Sequence, residues 1–121
     1  MASLRFRREE RLIRPADFKR VFDRRCSVSD AMLIVYGLPN GRSYCRLGLS
    51  VSRKVGSAVR RNRLRRLYRE VFRLSRSEMP VGLDLVLVPR GSDEPTLAEL
   101  RQALPTLVRA LARRLTRKEK A

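Results

Sequence analysis

Histidine and tryptophan are both missing from this 121-residue chain. Without histidine it lacks the side chain that most often serves as a general base near neutral pH and as a transition-metal ligand. Acidic residues are scarce, with 12 Asp and Glu against 29 Lys and Arg and a formal charge of +17. Those present, such as Asp17, Asp30, Asp84 and Asp93, are scattered, and no two share an obvious metal-ligand spacing. Cysteine occurs twice, at Cys26 and Cys45, with no histidine to complete a zinc set or a nucleophile–base pair. The first fourteen residues are charged throughout, so no secretory hydrophobic segment is expected. No stretch approaches the ~20 apolar residues of a membrane span, and no membrane partner is expected. Two reduced thiols in a cytoplasmic protein is the corresponding reading. A catalytic centre or a metal site built from this chain's own side chains is not expected.

What the chain has in excess is positive charge, which bears on partners rather than on fold. Hydrophobic residues make up 43% of it, a normal share for a globular protein, and a domain of this size buries roughly two-thirds of its unfolded surface. One RNA-binding domain is expected over residues 13–117, flanked by a flexible basic arm at 1–12 and a frayed tail at 118–121. A short helix should open at Pro15, whose fixed φ suits the first helical position, and run to about Arg24. In it Phe18, Val21 and Phe22 share one face. Residues 32–38 and 44–52 read as two strands of a hairpin joined through Pro39-Asn40-Gly41. On the second of these Leu47, Leu49 and Val51 alternate with Arg46, Gly48, Ser50 and Ser52, giving one apolar side and one small polar side. Residues 84–88 form a nearly continuous apolar strand. The last helix should start from a capping box, Thr96 with Glu99, and run to about Arg117. Its core side carries Leu97, Leu100, Leu104, Leu107, Val108, Leu111 and Leu115, and Pro105 should kink or split it. Helix, strands, helix, strand, helix implies an α+β domain with a small sheet packed on helices.

The most informative stretch is Lys54-Val55-Gly56-Ser57-Ala58-Val59-Arg60-Arg61-Asn62-Arg63-Leu64-Arg65-Arg66. It is densely basic yet keeps apolar residues at helical spacing, which a disordered basic tail has no reason to do. Ser57 is a good N-cap after a glycine that permits a sharp entry. Over residues 57–76, Leu64, Leu67, Tyr68, Val71, Phe72 and Leu74 cover one side, and Arg65, Arg66, Arg69, Arg73 and Arg76 the other. Only Glu70 and Glu78 are near enough in sequence to balance them, and like charges at i, i+4 such as Arg61, Arg65, Arg69 and Arg73 repel by a few tenths of a kcal/mol each. A solvated helix would not normally carry that repulsion, whereas one facing a polyphosphate would have it relieved. Guanidinium forks grip phosphate bidentately, which fits the preference for arginine over lysine. Asn62 can cap a backbone group or read a base edge or 2′-hydroxyl. Phe18, Phe22 and Tyr36 can be plain core, or a surface on which unpaired bases stack beside Gly48 and Ser50.

Lys54-x-Gly56-x-Ala58-x-x-Arg61-Asn62-Arg63-x-Arg65-Arg66 resembles the RNR signature of the protein subunit of bacterial ribonuclease P. Asp17-Phe18-x-x-Val21-Phe22 is similar to that family's first helix. Leu47-Gly48-Leu49-Ser50-Val51-Ser52 resembles the strand leading into the signature, and Asp84-Leu85-Val86-Leu87-Val88 the strand after it. The resemblance implies an αβββαβα order, a mostly antiparallel sheet and a left-handed β–α–β crossover, against the usual right-handed preference. It further implies a protein without catalytic residues, working beside an RNA subunit that removes the 5′ leader of precursor tRNA with Mg²⁺ held mainly by the RNA. Carried over residue by residue, Lys54, Arg61, Asn62, Arg63, Arg65, Arg66 and Arg69 would meet the ribonuclease P RNA subunit. Phe18, Phe22, Tyr36, Ser50, Ser52 and Arg53 would line a cleft for the single-stranded leader. No obligate protein partner is implied. A ribosomal or general RNA-chaperone protein would need the basic helix but not the cleft. A DNA-binding regulator using residues 57–76 in a major groove lacks a convincing helix-turn-helix partner.

Overall fold

The computed structural model describes residues 6–91 and 94–120 of the chain. The elements are helix α1 (Pro15–Asp23), strands β1 (Ser27–Ser29), β2 (Leu33–Pro39) and β3 (Arg46–Leu49), helix α2 (Ala58–Ser75), strand β4 (Leu83–Pro89) and helix α3 (Leu97–Lys120). Short 3-10 turns occur at Arg8–Glu10, Arg53–Val55 and Arg76–Glu78. The order αβββαβα is the one expected, in an α+β domain.

The strands lie in the order β1-β2-β4-β3. β1 with β2 and β2 with β4 are antiparallel, whereas β3 runs parallel to β4. β3, α2 and β4 therefore form a β–α–β unit. The hairpin expected between residues 32–38 and 44–52 does not form, because β4 lies between β2 and β3. The reason is burial. The first five residues of β4 are all buried, and a strand apolar on both sides is best placed inside a sheet that is covered on both faces. The turn at 39–41 still forms, with Gly41 at φ +69°, but it is stitched to β4. The Asn40 amide donates to the Gly82 carbonyl (2.9 Å), and Asn40 Nδ2 donates to Asp84 Oδ1 (3.0 Å).

Period-two alternation divides the strand residues between two layers. Leu33, Val35, Leu47, Leu85 and Leu87 face the main core, where they meet Leu64, Tyr68, Val71 and Phe72 of α2 and Leu100, Leu104, Val108 and Leu111 of α3. On the other face Leu12, Val21 and Val86 are buried in a second, smaller cluster, with Phe18, Phe22, Tyr36, Leu38 and Val88 half-buried against it. α1, only nine residues long, covers this second face.

Three further expectations are corrected. Residues 6–12, read from sequence as part of a loose arm, are tied to the body. Phe6 packs edge-on against Phe72 at 5.5 Å between ring centroids, Glu10 is buried and ion-paired with Arg76, and Leu12 N donates to the Leu47 carbonyl (2.9 Å). Residues 1–5 of that arm lie outside the described residues. Pro105 does not split the last helix, which runs unbroken through it to Lys120, past the expected end near Arg117. The carbonyl that Pro105 leaves without a partner belongs to exposed Arg101, where water can take the place of the amide. Leu97, assigned to the core side, is exposed in the first turn. The capping box is as expected: Glu99 N donates to Thr96 Oγ1 (3.1 Å) and Thr96 N to Glu99 Oε1 (3.0 Å).

Candidate nucleic-acid interface

The orientation of α2 follows from its apolar spacing. With Leu64, Tyr68, Val71 and Phe72 buried, Asn62, Arg63, Arg66 and Arg69 are exposed and Arg61 and Arg65 are half-buried at the edge of the arginine side. Ser57 caps the helix by accepting from Arg60 N (3.2 Å), and Gly56 enters it at φ +148°, a conformation that L side chains rarely adopt. The 3-10 turn just before carries Arg53 and Lys54, both exposed.

Among the described residues, acid relief reaches only the flanks of this face. Arg63 pairs with Glu94 (3.1 Å), Arg73 Nε donates to its neighbour Glu70 (3.1 Å), and Arg76 pairs with Glu10. The Arg63–Glu94 side chains are 63% and 43% exposed, so solvent screens the pair and it is worth at most about 1 kcal/mol. No carboxylate pairs with Arg61, Arg65, Arg66 or Arg69 among the described residues. Arg69 is held below the usual arginine pKa, first by partial burial and then by the charges of Arg11 and Arg65. Arg61 Nε is buried with no hydrogen-bond partner among the described residues. An unmet donor of this kind costs about 1–3 kcal/mol until an acceptor arrives. Asn62 does not cap the helix; its Oδ1 accepts from Arg65 Nη1 (3.1 Å), while Arg65 Nη2 reaches the Val51 carbonyl (3.4 Å). The amide therefore steadies a guanidinium fork at the mouth of the β3–α2 connection.

Phe18, Phe22 and Tyr36 come together under and beside α1, outside the main core. Phe22 and Tyr36 meet edge to face at 4.9 Å and 71°. Phe18 lies over Gly48, so closely that a Cβ there would fall 2.8 Å from two of its ring carbons. All three rings are half-buried, as is Ser50, while Ser52 and Arg53 are exposed. Ser50 N donates to the Leu87 carbonyl (3.0 Å), which prolongs the β3–β4 ladder and fixes the start of the connection. Residues 50–54 thus lead from the aromatic face to the arginine face.

One group of residues was not singled out from sequence. Arg46, on β3, donates from Nε to Asp84 Oδ1 (2.8 Å) and from Nη2 to Asp84 Oδ2 (2.6 Å), and its Nη1 lies 3.9 Å from Asp17. The fork on Asp84 raises the Arg46 pKa further above its ordinary value. Asp17 also pairs with Arg20 on α1. The network pins the start of α1, and with it Phe18, to the sheet. Its one sequence signal was an aspartate opening an otherwise apolar strand.

A family model described as Ribonuclease P matches residues 6–112. The chain belongs to the ribonuclease P protein family. It is 37% identical over 106 residues to the ribonuclease P protein component of Clostridioides difficile, covering 86% of this chain and 93% of that one. It is 44% identical over 85 residues to the protein component of Thermotoga petrophila, covering 70% and 73%. Among solved structures, the RNase P protein of Thermotoga maritima superposes with a TM-score of 0.76 at 35% identity, covering 84% of this chain and 96% of that one. The RNase P protein of Staphylococcus aureus gives 0.72 at 30% identity, covering 84% and 94%. The part of this chain matched by the family model takes in α1, the whole sheet and α2, hence both surfaces described above.

Proposed function

We propose that this chain is the protein component of a bacterial-type ribonuclease P, binding the catalytic RNA through α2 and the 5′ leader of precursor tRNA through the face beneath α1. The observation that carries this reading is the pairing of two unlike surfaces on one small domain. Lys54, Arg61, Asn62, Arg63, Arg65, Arg66 and Arg69 form a guanidinium-rich face with little acid relief, suited to the backbone of a folded RNA. Phe18, Phe22 and Tyr36, with Ser50, Ser52 and Arg53, form a half-open aromatic and small-polar surface suited to unpaired bases.

The chemistry belongs to the RNA. Hydrolysis of the precursor phosphodiester, yielding a mature tRNA with a 5′ phosphate, proceeds with Mg²⁺ held mainly by the RNA subunit. The protein brings positive charge between two polyanions and holds the leader in register, so that less Mg²⁺ is needed to offset phosphate repulsion. The setting is cytoplasmic and no further protein is required.

Mixing the purified chain with a bacterial ribonuclease P RNA and a precursor tRNA at low Mg²⁺ tests this. Faster 5′ cleavage than with the RNA alone is expected. A chain that binds the RNA without any stimulation would instead fit a general RNA chaperone and remove the proposal.

A further inference from the structure

At the α1 end of the second sheet face there is a polar concavity of about 500 Å³, lined by residues of the segment before α1, of α1 itself, of the β2–β3 loop and of β3 and β4. It shares Leu38 with the aromatic cluster, and Asp17 on its wall directly precedes Phe18. Five arginines line it: Arg11, Arg14, Arg20, Arg42 and Arg46. The carboxylates present are Glu9, Asp17 and Asp84. Asp84 is taken by the Arg46 fork, and Asp17 by Arg20 with Arg46 nearby. Glu9 joins no ion pair among the described residues and is exposed. Arg11, Arg14 and Arg42 therefore have no carboxylate partner among the described residues. Two of them are steadied by rings instead, Arg11 at 4.9 Å from the Phe6 centroid and Arg42 at 5.9 Å from that of Tyr44, whose hydroxyl also accepts from Arg42 Nη1 (3.3 Å).

Arginines without a carboxylate partner around a polar hollow suit an oxyanion. The volume is that of a small-ligand site, enough for a phosphate with part of its sugar. We propose that this pocket is a third RNA contact, holding a backbone phosphate with Arg14 and Arg42 as its principal donors. The inference rests on the proposed RNA-binding function and extends it. The phosphate comes from leader nucleotides upstream of those over Phe18 and Phe22, or from the catalytic RNA. The continuity through Leu38 and Asp17 favours the leader.

The test is the variant Arg14→Ala/Arg42→Ala, two exposed positions outside the packed core. Exposed Arg101→Ala/Arg113→Ala on α3 is the control that removes the same charge elsewhere. Holoenzyme affinity is measured over a salt series for a precursor with a short leader, a precursor with a much longer leader, and the catalytic RNA alone. The expected result is a weaker affinity for the long-leader precursor only, with the log–log salt slope flattened by about 0.7 per lost phosphate contact. A loss with the catalytic RNA alone would keep the phosphate site and assign it to that strand. Losses no greater than the control's in every arm would overturn it. Should wild-type protein fail to stimulate cleavage, the proposed function falls independently. The pocket is then judged by titrating inorganic phosphate while following the Arg14 and Arg42 Nε–H resonances by NMR. Saturable shifts, absent from Arg101 and Arg113, support it, and their absence refutes it.

Discussion

Gly48→Ala is the smallest change that should disturb the aromatic surface without touching any aromatic residue. A Cβ at position 48 would sit 2.8 Å from Phe18 Cε1 and Cζ and 3.1 Å from Leu12 Cβ, against about 3.5–4.0 Å for carbon atoms in comfortable contact. The ring must retreat by roughly 1 Å, and it has little room to do so. Val21 and Val86 beneath the cluster are fully buried, and Leu12 is 6% exposed. Overpacking of this kind costs about 1–3 kcal/mol. Urea unfolding should show that loss, and precursor affinity should fall while affinity for the catalytic RNA holds. A double-mutant cycle sharpens the argument. In a Phe18→Leu background the clash is with a smaller, more adaptable side chain, so Gly48→Ala should cost less there by at least about 0.5 kcal/mol. Strict additivity, or a neutral Gly48→Ala, would mean that Phe18 does not rest on Gly48 and that the described surface is wrong.

Arg46→Ala should destabilise the domain by about 3–5 kcal/mol in the same unfolding assay, since it leaves Asp84 buried without its fork, and Arg46→Ala/Asp84→Ala should recover part of the loss. Phe6→Ala should raise hydrogen exchange across residues 6–12 well above that of β4; unchanged exchange would show that the Phe6–Phe72 contact does not hold the segment down. Burial pushes the Tyr68 hydroxyl up to about 12 from an ordinary value near 10. The folded state therefore keeps a proton that the unfolded state releases, so this contribution is complete below pH 10 and is lost as pH rises from about 10 to about 12. The loss is on the order of 2–3 kcal/mol by linkage, and Tyr68→Phe should flatten stability over that window relative to wild type; parallel pH curves would rule the effect out.

The helices were legible because their signals are local. Pro15, Ser57 and the Thr96–Glu99 box each mark a start, and the spacing of Leu64, Tyr68, Val71 and Phe72 sets which way the arginines of α2 face. The sheet was less legible because strand pairing is non-local. Pro39-Asn40-Gly41 spells a turn, yet nothing within 32–52 reveals that β4, more than thirty residues on, takes the central place. The same distance in sequence concealed the Arg46–Asp84 fork and the docking of Phe6 on Phe72. Pro105 misled for another reason. The rule that proline breaks helices presumes a costly orphan carbonyl, and here that carbonyl belongs to solvent-exposed Arg101. For the candidate interface, sequence picked out residues that the fold gathers onto two surfaces. It could not say that the aromatic rings are half-buried in a small cluster of their own, nor that Asn62 braces Arg65.

The central claim is a division of labour between two faces, and binding measured side by side tests it. Arg61→Ala/Arg65→Ala/Arg69→Ala and Phe18→Ala are each titrated against the catalytic RNA alone and, in holoenzyme, against precursor and mature tRNA. The triple variant should lose catalytic-RNA affinity and flatten its log–log salt slope by up to about 0.7–0.9 per lost contact. Phe18→Ala, once shown to be folded, should lose precursor affinity and leave mature tRNA and the catalytic RNA alone. Equal losses by both variants for all three ligands would contradict the account.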